Sequence, residues 1–204
     1  MLLPGAVGRL ELRVSVPAAG PSGVAVICHP HPLHGGTLTN KVTYQLASCA
    51  LKAGFVAARF NFRGVGKSEG KHDEGRGESD DALAVAEWLR GQLPGMPLLL
   101  AGFSFGAFVS LRAAARAQPD LLVSIAPPFR YFDEKPPRPP CPWLVVHGRD
   151  DDVVAFEETR KALAGYEPPV ELAPMDGVGH FFHGKLIELE RAVSAFIQHN
   201  GRKA

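Results

Sequence analysis

The chain is short of cysteine, of long apolar runs and of excess charge, and each shortage removes a class of protein. Its 204 residues include three cysteines, Cys28, Cys49 and Cys141. An odd, widely spaced set suits reduced, buried thiols in a cytoplasmic protein better than a disulfide framework. No apolar stretch approaches the roughly 20 residues that span a bilayer; runs such as Leu98 to Ala101 are the length of a buried strand. Met1 to Val16 has no basic region followed by an apolar core, so a secretory leader is not expected. Net charge is +1 with histidine neutral, which gives nucleic acid or an anionic membrane no bulk electrostatic hold. Internal repeats are also missing.

What remains is globular: 46% hydrophobic and 21% charged residues. A chain of this length suits one domain, 1–204, that hides about 70% of its unfolded surface. Strand and helix signals alternate along it. Leu10 to Val16 alternates apolar and polar and reads as a half-buried edge strand. Val24 to Cys28, Phe55 to Phe60, Pro97 to Gly102, Leu121 to Ala126 and Trp143 to His147 read as buried strands, with a last strand at Val170 to Pro174. Helices are expected over Asn40 to Ala53, Ser79 to Leu93, Phe105 to Ala117, Ala155 to Ala164 and Lys185 to Asn200. Such alternation predicts a mostly parallel sheet with helices on both faces, and chemistry just beyond the carboxyl ends of the strands.

The loops there carry chemical groups. Gly102-Phe103-Ser104-Phe105-Gly106 joins a buried strand to a helix. In that setting a Gly-x-Ser-x-Gly turn presents a strained serine to a cleft, with the Phe105 amide behind it as an oxyanion donor. A hydroxyl needs a base, and the base needs an orienting acid. After Ser104 come His147, His180 and His183, short of the terminal helix. His147 ends a strand and reads as structural; His183 reads as a cap or a solvent-facing group. His180 sits in the glycine-rich stretch Asp176 to Phe182, where two phenylalanines could shield it. The acid lies among Asp150, Asp151 and Asp152, which the local sequence does not separate.

After the second strand comes Cys28-His29-Pro30-His31-Pro32-Leu33-His34-Gly35-Gly36. The prolines carry no N–H, so a second oxyanion donor would come from His31, Leu33 or His34, with Leu33 preferred over His31. A competing reading makes His29, His31 and His34 a metal site, although no acidic or cysteine ligand neighbours them. The glycine-rich loop Asn61 to Gly70 is not a phosphate loop, because Asn61 stands where the pattern needs glycine. Arg63 within it reads as one half of a structural ion pair.

Taken together, these motifs resemble the α/β-hydrolase superfamily over nearly the whole chain. More narrowly they resemble small bacterial serine hydrolases related to dienelactone hydrolases, on His29 to Pro32, Gly35-Gly36, Asn40-Lys41-Val42 and the Asn61 to Gly70 loop. The resemblance implies an α/β-hydrolase fold: a mostly parallel, doubly wound sheet flanked by helices. His-Gly-x-x-Asp-x-Val-Val falls on His147-Gly148, Asp151 and Val153-Val154, which implies Asp151 as the acid. Dienelactone hydrolase itself carries a cysteine nucleophile where this chain has Ser104, which shifts the expectation toward a carboxylesterase.

Only Pro127 to Pro142 is available where lids are usually inserted, and five of the seven residues from Pro136 to Pro142 are proline. No cap is expected, so the cleft should admit small, water-soluble esters. Phe129, Tyr131 and Phe132 either line its wall or pack the loop. The triad Ser104–His180–Asp151 needs no cofactor and no metal. The expected partner is a small-molecule ester, with no nucleic acid and no membrane, and the chain is expected to be a monomer or small homo-oligomer. A thioesterase, a small-amide hydrolase and a non-catalytic binding protein on the same fold are the alternatives.

Overall fold

The computed structural model describes residues 1–201. Its strands are β1 (Leu2–Gly5), β2 (Gly8–Ser15), β3 (Gly23–Cys28), β4 (Phe55–Phe60), β5 (Leu98–Phe103), β6 (Leu121–Ile125), β7 (Trp143–Gly148) and β8 (Glu171–Met175). They form one sheet in the order β1-β2-β4-β3-β5-β6-β7-β8, parallel from β4 to β8, with β1 and β2 antiparallel. Strands β3 to β7 are buried at every position. Their unbroken apolar runs follow from having helices on both faces.

The expected edge strand is not at the edge. Strand β2 pairs through Leu10 with Leu3 of β1 and through Leu12 with Phe60 of β4. The outer strand β1 has four residues, one of them Pro4, too short and too poor in pattern to announce itself.

Helices α1 (Lys41–Lys52) and α5 (Leu186–Asn200) cover one face, packing Val42, Leu46, Val193 and Phe196 on Ile27, Leu99 and Val123. Helices α2 (Arg76–Gln92), α3 (Phe105–Ala117) and α4 (Phe156–Leu163) cover the other, through Val85, Leu89, Phe108 and Leu163. The Asn40 side chain caps α1, accepting from the Val42 and Thr43 amides at 2.9 and 3.2 Å. Helix α2 begins three residues before the expected Ser79. Its start is set by the buried Glu78 carboxylate, which accepts from the Gly75 and Asp73 amides at 2.8 and 2.9 Å.

Between β6 and β7 no cap is inserted. A short 3-10 turn at Phe129–Tyr131 leads into the proline-rich stretch. Tyr166 Oη donates to the Pro136 carbonyl at 2.6 Å, and Arg138 Nε to the Pro168 carbonyl at 2.7 Å. These bonds tie the loop to the segment after α4. Of its three aromatics, Phe129 is buried in the core, Phe132 packs on it, and Tyr131 faces the cleft.

Arg63, just after β4, is locked to Asp81 of α2. Its amide and Nε both donate to Asp81 Oδ2 at 3.0 Å, and Nη2 to Oδ1 at 2.7 Å. Both side chains are buried. Burial pushes the Asp81 carboxyl up, against the bonds from Arg63. The pair fixes the loop after β4 to α2. Arg63→Met leaves the buried carboxylate without its counter-ion, only the backbone amide of residue 63 still donating to it, and is expected to cost about 3–5 kcal/mol in a urea titration. Adding Asp81→Leu to it should recover most of that loss; a double variant no more stable than the single one would contradict this account.

Candidate active site

Ser104 links β5 to α3 with φ 53° and ψ −121°, a conformation rare for a residue with a side chain. Its N–H donates to the Ile125 carbonyl of β6 at 2.8 Å, so the neighbouring strand holds the bend. The flanking glycines are required by space. A Cβ on Gly102 would lie 2.1 Å from the Gly106 carbonyl oxygen, and one on Gly106 would lie 2.3 Å from that of Cys28. Helix α3 can therefore start directly against β3 and β5, with its first amides pointing at the site.

His180 comes from the loop between β8 and α5. Its Nε2 is 3.0 Å from Ser104 Oγ, and its Nδ1 is 2.8 Å from Asp151 Oδ2. Asp151 follows β7 and is buried, whereas Asp150 and Asp152 are exposed. Its Oδ1 accepts from the amides of Val153 and Val154 at 2.9 and 2.7 Å. Burial opposes the charge on Asp151. Hydrogen bonds from His147, His180 and the Val154 amide outweigh it and hold the carboxyl well below the usual carboxylate range. Serine, imidazole and carboxylate thus form a continuous hydrogen-bonded chain, the geometry of a triad.

The comparisons agree with that geometry. The model of the X-Pro dipeptidyl-peptidase (S15) family matches residues 6–135, a span that includes Ser104 but neither Asp151 nor His180. An α/β serine hydrolase without lid from Xanthomonas campestris has a similar structure, with TM-score 0.94 and 43% identity, covering 98% of this chain and 93% of that one. An α/β serine hydrolase homologue from Coxiella burnetii has TM-score 0.90 and 43% identity, covering 96% and 95%. The chain belongs to the S15 family and has the fold of the α/β serine hydrolases. A dienelactone hydrolase from Anabaena variabilis is alike in fold alone, with TM-score 0.80 and 17% identity over 98% of this chain and 96% of that one.

Around Ser104 this serine hydrolase has a cleft of about 210 Å³. Its walls include His31, Asn40, Tyr131, Val153 and Phe181, and no carboxylate among the described residues. The His180 ring packs on Phe103, with centroids 5.1 Å apart, and its outer edge meets Phe181 at 5.1 Å. Of the two expected shielding phenylalanines, Phe181 is half out in solvent and Phe182 is in the core. Phe103 does the inner packing, a role its place in the motif hid. His183 is exposed.

The loop after β3 is held by its own contacts. The Leu33 amide donates to its own turn, to His31 Nδ1 at 3.3 Å. His29 is buried with both ring nitrogens used: Nδ1 is 2.7 Å from the Pro30 carbonyl oxygen, and Nε2 accepts from the Phe62 amide at 3.1 Å. With no lone pair to spare it cannot join His31 and His34 around an ion. Among the described residues no group of three metal-ligating side chains is assembled. Among the same residues no helix is long and apolar enough to cross a membrane.

Burial pushes His29 down to about 4, against the bond to Pro30. The folded state therefore refuses a proton that an unfolded histidine accepts near its ordinary value of about 6.5. The stabilising contribution is complete above that value and is lost as pH falls from there toward 4. His29→Gln keeps a donor and an acceptor without a titrating group. Between pH 7 and pH 4 the wild type should lose up to about 3 kcal/mol more unfolding free energy than this variant. Parallel pH profiles in urea denaturation would contradict the assignment.

Proposed function

We propose that this chain is a carboxylesterase that cleaves small, water-soluble esters through an acyl-enzyme at Ser104. The observation that carries the reading is the chain of 3.0 and 2.8 Å contacts from Ser104 through His180 to Asp151. His180 takes the Ser104 proton as Oγ attacks the ester carbonyl, then returns it to the leaving alcohol. Asp151 holds the imidazole tautomer and stabilises the imidazolium. Water repeats the sequence on the acyl-enzyme.

The oxyanion is held by the Phe105 amide and by one donor from the loop after β3. Sequence favoured Leu33 for the second. The Leu33 amide would have to leave the His31 ring to serve, whereas the carbonyl of His31 is taken by His34 and Gly36 and its amide lies before them in the chain, next to the cleft. We assign the second donor to the His31 amide.

The ester reading is supported over dipeptide release by the cleft itself. A peptide held by its amino end needs an anion for the ammonium group, and none lines the cleft at Ser104; Glu74 and Asp133 line the adjoining cavity instead. The absence of a cap between β6 and β7 favours short, soluble acyl groups over aggregated lipid. Three free, buried cysteines suit a reducing, cytoplasmic setting.

Ser104→Ala is expected to abolish turnover of 4-nitrophenyl acetate and labelling by a fluorophosphonate while leaving the thermal midpoint near that of wild type. Across acetyl to dodecanoyl esters, kcat/KM should peak at short chains. Turnover of thioesters or X-Pro anilides above that of every ester would overturn the substrate assignment. A wild type that takes no phosphonate at Ser104 would mark the fold as a binding protein.

A further inference from the structure

His147, read from sequence as structural, stands behind the triad. It ends β7, is fully buried, and packs edge-on against Phe156 with centroids 5.8 Å apart. Its Nε2 lies 2.9 Å from the Val154 carbonyl oxygen. A carbonyl only accepts, so Nε2 carries the hydrogen. The same nitrogen is 3.2 Å from Asp151 Oδ2, the oxygen that also receives His180 Nδ1. Among the described residues its Nδ1 has no hydrogen-bond partner.

We propose that His147 is a positioning residue for the triad, whose Nε2–H edge, close against Oδ2, helps keep the Asp151 carboxylate in line with His180. The proposal goes beyond the esterase reading and rests on it only for the assay. Asp151 can turn about its Cβ–Cγ bond. Two amides hold Oδ1 from one side, and only His180, itself on a loop, bonds to Oδ2. The His147 Nε2–H adds a second positive edge 3.2 Å from that oxygen and resists rotation of the carboxylate away from it. It comes from a fully buried strand, whereas His180 comes from a loop. The carboxylate is therefore oriented by the sheet before the imidazole reaches it. Three hydrogen bonds then reach one carboxylate, from the amides of Val153 and Val154 and the ring of His180, with the His147 ring 3.2 Å from Oδ2 beside them.

The test compares His147→Leu, which removes the donor, with His147→Gln, whose amide nitrogen can take the place of Nε2. Turnover of 4-nitrophenyl butyrate is expressed per fluorophosphonate-reactive site, so unfolded protein does not count. For His147→Leu, kcat should fall about tenfold or more with KM unchanged, because the loss lies in the transition state. The low-field proton signal of the His180–Asp151 bond should shift or broaden. His147→Gln should restore both kcat and the signal. Should the leucine variant fail to fold, His147→Asn replaces it, since its shorter amide does not reach Asp151. The proposal is overturned if the donor-free variant keeps wild-type kcat per reactive site, or if glutamine is as impaired as leucine. A wild type that labels at Ser104 but hydrolyses no ester counts against the esterase reading instead; the His147 role is then decided by the labelling rates.

Discussion

Helix α3 touches β3 and β5 so closely at its first turn that no side chain fits between them, and the site is built on that contact. Gly106 lies against the carbonyls of Cys28 and His29, and Gly102 against that of Gly106 itself. The chain must reverse within one residue, so Ser104 is forced into a left-handed bend. The strain is balanced by sheet pairing: the Ser104 amide continues the ladder to Ile125 of β6. The outcome is a hydroxyl projecting from the rigid centre of the molecule, with helix amides facing it. Nothing there waits on a loop. What moves, if anything does, is the histidine loop, and its ring is already seated on Phe103.

The rest of the sheet serves the same end. Five fully buried parallel strands stop at one level, and the groups that matter follow directly: His29 after β3, Arg63 after β4, Ser104 after β5, Asp151 after β7. Each is tied by bonds to backbone or to a buried charge rather than by surface contacts. Arg63 is bound through three bonds to Asp81, and His29 spans Pro30 and Phe62. Buried polar groups are costly unless fully partnered. Their concentration at this end of the sheet shows where stability is exchanged for a fixed arrangement of polar atoms.

How far the amino-acid sequence discloses this depends on the range of each interaction. Buried strands write their burial into consecutive residues, so β3 to β7 were legible to within a residue or two, as was the serine turn, whose glycines answer a local steric demand. Strand β1 was not, because four residues with a proline carry almost no period. The acid could not be picked from three adjacent aspartates by local pattern; its choice depends on which one turns inward, and only family resemblance pointed to Asp151. The second oxyanion donor stayed open between Leu33 and His31 because donor count was legible but direction was not: the Leu33 N–H faces the ring two residues back. His147 was set aside because strand position explained its burial well enough. Its second contact, to Asp151 four residues on, needs the turn between them to be known.

A lid is absent for a reason visible in the loop that replaces it. Proline removes donors, so the stretch from Pro136 to Pro142 cannot satisfy itself as helix or strand and must be held from outside. Tyr166, Arg138 and Lys135 do this by donating to carbonyls of the loop and of the segment it rests on. A segment held in that way cannot also be a moving cap. The cleft therefore depends on its fixed walls for selectivity: Tyr131 from this loop, His31 opposite, and Val153 and Phe181 beside the catalytic acid and base. Selection then falls first on the part of the substrate within the cleft, and an adjoining cavity of about 360 Å³ that shares His31 and Tyr131 can touch the rest. An enzyme so built discriminates by the size and polarity of what enters a shallow, rigid site, and substitutions along that rim, rather than in the triad, are where its preference would change.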